Sequence, residues 1–126
     1  MNNEKIELVH NGAELAPAQP VDLTDAHLML GIDVGSTTVK LSIIDENGTL
    51  LYANYKRHHT DVRATARELF EKAQRVIKDA PLYAAITGSG GMLLAQWLDL
   101  EFVQEVIASK RAVEALIPKT DVAIEL

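Results

Sequence analysis

The sequence predicts an α/β domain on a mixed sheet, with three antiparallel strands followed by alternating helices and strands. Three observations carry this. Between Leu28 and Arg57, three apolar stretches are separated only by short polar or glycine-bearing links. From Asp61 the apolar spacing changes to the three-and-four pattern of a helix. After Pro81, short apolar strands and helical stretches follow one another to the last residue.

"LMLGIDV" is apolar, short and bounded by Gly35, which suits a buried strand. In "TVKLSIID", Val39, Leu41 and Ile43 fall on one face and Lys40, Ser42 and Ile44 on the other. That is strand period. "ENG" at Glu46–Gly48 supplies Asn-Gly, a pair that tolerates positive φ at both centres of a tight hairpin. "TLLYANYKRHH" reads as the third strand.

Asp61 to Asp79 is a helix with Val62, Ala66, Leu69, Phe70, Ala73, Val76 and Ile77 on its apolar face. Glu68–Lys72 and Glu71–Arg75 place opposite charges four apart, acid first. Thr60 or Asp61 can cap its start. "LYAAITG" is a fourth strand, Gly91 to Asp99 a short helix, and "LEFVQ" a brief strand. "EVIASKRAVEALIP" is a further helix, and "DVAIEL" a strand without a visible partner.

The order of the first eight elements, β-β-β-α-β-α-β-α, is the ribonuclease H-like arrangement. Residues 28–119 are expected to form that lobe. Residues 120–126 would begin a second lobe that continues in a larger protein. Residues 1–27 are polar, carry Pro17 and Pro20, and are expected to be a mobile tail; "KIELVH" there has no evident strand partner.

The 126 residues suffice for one modest domain with a real core. A net charge of −6 disfavours a basic nucleic-acid-binding face. The absence of cysteine excludes disulfides and any cysteine-held metal or cluster within these residues. No apolar run reaches bilayer-spanning length, and the N-terminus lacks signal-peptide order. A cytoplasmic protein without membrane or nucleic-acid contacts is the expectation.

"GIDVGSTTVK" carries the chemistry. It reads either as a plain hairpin loop of small polar residues or as a phosphate cradle. As a cradle, Gly35 would let the backbone approach phosphate, and Ser36, Thr37 and Thr38 would add hydroxyl donors. Asp33, at the strand end, could hold hydrated Mg²⁺. A carboxylate inside an otherwise apolar strand needs a partner, water or metal, which favours this reading. Lys40 either adds positive charge or faces solvent. Strand period after the loop excludes a Walker A motif, which leads into a helix.

The first and fourth strands run parallel in this topology. Asp33 and Thr87 would therefore open on one sheet edge, where ligands of α/β sheets bind. "TGSGG" is either a second phosphate loop or a helix entry capped by Ser89. His58 and His59 are adjacent, so they face opposite ways on a strand and read as a solvated end. Trp97 reads as core and Glu105 as a first-turn helix acid.

"LGIDVGSTTVKLSIID", "ITGSGG" and "FVQEVIASKRAVEALIPKTDVAIEL" together resemble the N-terminal part of the ATPases that activate 2-hydroxyacyl-CoA dehydratases and benzoyl-CoA reductases. The wording is closest to the long CoA-substrate-specific enzyme activases. The likeness runs from Leu28 to Leu126. It implies the actin-like superfamily, whose two ribonuclease H-like lobes close over ATP and Mg²⁺. Nucleotide binding there drives electron transfer to a dehydratase from an iron–sulfur cluster shared by a homodimer. By position, Asp33 would coordinate Mg²⁺ through water, and Gly35, Ser36, Thr37 and Thr38 would hold the β- and γ-phosphates. Gly88 and Gly90 fall in the loop after the fourth strand; many relatives have an aromatic residue where Ser89 stands. Glu125 matches an acid just before the second phosphate motif of these ATPases.

That motif, the adenosine site and the cluster cysteines would lie after Leu126. "VIASKRAV" also lacks a cysteine that shorter activators carry. Two rivals remain: a sugar or acid kinase of the same superfamily, and a nucleotide-switched chaperone or scaffold module.

Overall fold

A computed structural model describes residues 6–103 of the chain. The expected helix over "EVIASKRAVEALIP", Glu105, Glu125 and the strand at 120–126 lie outside the described residues. Strands β1 (Leu8–Asn11), β2 (Glu14–Pro17), β3 (Leu28–Val34), β4 (Thr38–Ile44), β5 (Leu50–Arg57), β6 (Leu82–Thr87) and β7 (Glu101–Phe102) form one sheet. Their spatial order is β1-β2-β5-β4-β3-β6-β7. Helices α1 (Val62–Ile77) and α2 (Gly91–Leu98) complete the described chain.

The ribonuclease H-like fold follows from the pairing. β3 lies antiparallel to β4, and β4 to β5. β6 crosses over to pair parallel with β3, and β7 adds parallel to β6. Alternation along β3 buries Leu28, Leu30, Ile32 and Val34, and along β4 Val39, Leu41 and Ile43. Leu69, Ala73 and Ile77 of α1 and Leu94 and Ala95 of α2 join the same core. The opposite sheet face leaves Met29, Tyr55 and Tyr83 exposed.

The Asp61 carboxylate caps α1 by accepting from the Ala64 amide at 3.1 Å. Glu68 pairs with Lys72 as the spacing predicts. Glu71 pairs instead with Arg67 one turn earlier. The Asn-Gly hairpin also differs. Gly48 alone takes positive φ, and Asp45 organises a longer loop by accepting from the amides of Asn47 and Thr49. A register shift at Ile43/Ile44 leaves Leu51 as an extra residue, so consecutive Leu51 and Tyr52 are both buried.

Residues 6–27, the described part of the expected mobile tail, depart from that expectation. β1 and β2 form a hairpin whose two-residue loop puts Gly12 at φ 62. The partner missing from the sequence reading is the free edge of β5, met at Leu15↔Ala53. Polar side chains tie it down: the buried Tyr52 hydroxyl donates to Glu14 Oε2 at 2.6 Å, and Asn54 Nδ2 donates to the same hydroxyl at 3.1 Å. Burial, with the Glu14 carboxylate, raises the Tyr52 pKa above its ordinary value, which keeps the phenol the donor. Tyr52→Phe should cost about 1–2 kcal/mol, since it leaves buried Asn54 short of an acceptor. Urea unfolding would measure the loss. Amide exchange over residues 8–17 should rise more than elsewhere; a uniform rise would show that the bond does not hold the hairpin.

Candidate functional site

The parallel pairing of β3 with β6 puts Asp33 in register with Thr87. The antiparallel pairing of β3 with β4 puts Asp33 opposite Lys40. One end of the sheet thus gathers Asp33, Lys40, Thr87 and the loop from Gly35 to Thr38. Asp33 and Lys40 make no ion pair among the described residues. Lys40 is exposed and Asp33 half-buried. The Thr87 hydroxyl oxygen is buried and has no hydrogen-bond partner among the described residues.

The loop is tight because the carbonyls of Gly35, Thr37 and Thr38 are tied back. Gly35 N–H donates to Thr38 O at 2.8 Å. His58 supplies two more bonds, its backbone N–H to Thr37 O at 3.0 Å and its Nε2 to Gly35 O at 3.1 Å. In contrast, no hydrogen bond uses the amide or hydroxyl of Ser36 or of Thr37 among the described residues. The carbonyls of Gly35, Thr37 and Thr38 are taken, while the amides and hydroxyls of Ser36 and Thr37 are left over, a surplus of donors that suits an anion.

The second glycine loop locks onto the end of β3. Gly90 N–H donates to Val34 O at 2.9 Å. Gly88 takes φ 98, and a Cβ there would lie 2.4 Å from Val34 O and 2.5 Å from Asp33 Oδ1. A Cβ on Gly90 would meet Val34 Cγ1 at 2.8 Å. Both glycines therefore let β6 and its loop close against the strand that carries Asp33. Ser89 does not cap α2: the cap is Gly90, with no side-chain bond.

Two further readings change. Trp97 is not core; it is 49% exposed, with the Arg63 guanidinium 5.3 Å from its ring centroid. His58 is not a solvated end; it is 8% exposed and braces the loop. The register supplies the missing signal: Thr38 pairs with Arg57, the last residue of β5, so His58 directly after it falls beside Thr37. Glu125 lies outside the described residues.

One carboxylate beside hydroxyl and amide donors suits Mg²⁺, which keeps most of its waters and shares phosphate oxygens with few protein ligands. No group of three His, Cys, Asp or Glu able to hold a metal by themselves occurs among the described residues. No helix among them is long and apolar enough to cross a membrane.

No protein-family model matches the chain, and no curated protein matches it in sequence. Solved structures that share its fold include the following two. The crystal structure of Acidaminococcus fermentans (R)-2-hydroxyglutaryl-CoA dehydratase component A superposes with TM-score 0.58 at 21% identity, over 74% of this chain. The large terminase nuclease from thermophilic phage G20c superposes with TM-score 0.56 at 16% identity, over 89% of this chain. The matches span 36% and 60% of those two proteins. At these identities the likeness establishes the fold.

Proposed function

We propose that the chain is the N-terminal nucleotide-binding lobe of an ATP-dependent activase that drives electron transfer to a 2-hydroxyacyl-CoA dehydratase-type enzyme. The observation that carries this reading is the loop's polarity: bound carbonyls and unbound Ser36 and Thr37 donors, next to Asp33. Gly35, Ser36, Thr37 and Thr38 would receive phosphate oxygens, Lys40 would add positive charge, and Asp33 would hold a water of Mg²⁺. Gly88 and Gly90 would set the floor of the site. Glu125 would contribute from the start of the second lobe. Bound Mg-ATP supplies the negative charge and the hydrolysable bond. The dehydratase component among the structural neighbours supports the choice of partner class.

A nuclease reading is weaker. Two-metal phosphodiester cleavage gathers several carboxylates at one point, and the described residues offer no such group. In this reading the homodimer, the iron–sulfur cluster and the adenosine contacts would be features of a longer protein, which would act on the partner enzyme.

Calorimetric titration with Mg-ATP tests it. The 126-residue chain should bind weakly and release no measurable phosphate, because one lobe is half a clamp. Robust turnover by this chain would refute the half-site reading. A longer protein that binds ATP but holds no iron after anaerobic purification would move the assignment to a kinase or chaperone.

A further inference from the structure

His58 does more than fill space. Its Nδ1 accepts from the Thr60 amide at 3.0 Å, so Nδ1 carries a lone pair and the neutral ring's proton sits on Nε2. That Nε2 faces Gly35 O at 3.1 Å, while the backbone N–H of the same residue holds Thr37 O. A trans peptide points its N–H opposite to its C=O, and no cis peptide occurs among the described residues. Tethering Gly35 O therefore turns the Ser36 amide away from His58. Tethering Thr37 O does the same for the amide of Thr38. The Ser36 amide makes no bond of its own.

We infer that His58 is a positioning residue: by holding the carbonyls of Gly35 and Thr37, it fixes the loop with its amides turned outward to receive an anionic phosphate. This rests on the nucleotide reading above. His58 touches no ligand in this role and acts through two peptide planes. The ring bond to Gly35 is the part a substitution can remove, because the backbone bond survives any side-chain change.

The two amide side chains separate the two ring nitrogens. Glutamine reaches the Nε2 position and can still donate to Gly35 O. Asparagine reaches the Nδ1 position and can still accept from Thr60, but cannot reach Gly35. Each variant loses one hydrogen bond, so their thermal midpoints should fall alike. Mg-ATP titration should separate them. His58→Asn is expected to weaken binding about fivefold, the worth of one neutral hydrogen bond, while His58→Gln stays within about twofold of the parent.

Equal weakening of both variants, or of neither, would overturn the role of His58 and leave the nucleotide reading intact. A parent chain that binds no Mg-ATP would overturn both together. If neither variant folds, imidazole ¹⁵N shifts of the unmutated chain decide the matter. The Nε2–H tautomer with resonances that move on Mg-ATP saturation supports the inference. The Nδ1–H tautomer, or unmoved resonances, overturns it.

Discussion

Replacing Gly88 with alanine should destabilise the chain by about 3 kcal/mol or more, combining left-handed backbone strain with overpacking. The added Cβ would meet Val34 O at 2.4 Å, Asp33 Oδ1 at 2.5 Å and Val34 N at 2.6 Å. Two of these atoms are backbone of β3, a strand paired on both sides. They cannot retreat without breaking ladder bonds, so the end of β6 must move. That movement would pull Gly90 N–H from Val34 O and release the loop from Asp33. Gly12→Ala is the matched control. Gly12 also has positive φ, 62, but nothing lies within 4 Å of its ideal Cβ. It should cost only about 1 kcal/mol, the backbone share alone. Chemical denaturation of the two variants isolates the steric part. Equal losses would mean that the close approach at Gly88 contributes nothing.

This contrast also marks where the sequence was legible. Period two across β3 and β4, and the switch to helical spacing at Asp61, give the element order because side-chain burial follows backbone period directly. The juxtaposition of Asp33 with Thr87 follows from that order alone. What stayed hidden depends on register and on tertiary partners. Asn11-Gly12 carries the same hairpin signal as Asn47-Gly48. Yet the N-terminal pair is not decisive by itself, because the β5 edge that receives the hairpin is some forty residues away. The pair at 47–48 forms no two-residue turn, because the Asp45 side chain reshapes that loop. His58 reads as a solvated strand end because its role is set by carbonyls of the loop between β3 and β4, and carbonyls leave no trace in residue identity. Trp97 looked like core on hydrophobicity alone, whereas α2 turns Leu94 and Ala95 inward and leaves Trp97 to pack under Arg63.

Asp33→Asn should abolish most of the Mg²⁺ dependence of nucleotide binding while leaving the fold intact. The substitution keeps size and hydrogen-bonding capacity and removes one charge. That charge has no ion-pair partner among the described residues, so folding loses no attraction when it goes. A carboxylate that holds metal through water acts at one remove, and loss of such outer contacts typically weakens metal binding about 10–100-fold. The parent chain should therefore bind ATP more tightly with Mg²⁺ than with EDTA, and the variant should bind equally in both. Binding in EDTA should be the same for the two proteins, because Ser36 and Thr37 keep their donors. The measurement is a four-way titration, with and without metal, on proteins of matched thermal midpoint. A variant that retains the parent's metal enhancement would remove Asp33 from the site and leave the loop as an anion cradle without a metal. A variant whose affinity falls equally in EDTA would instead show that Asp33 shapes the loop itself rather than holding metal.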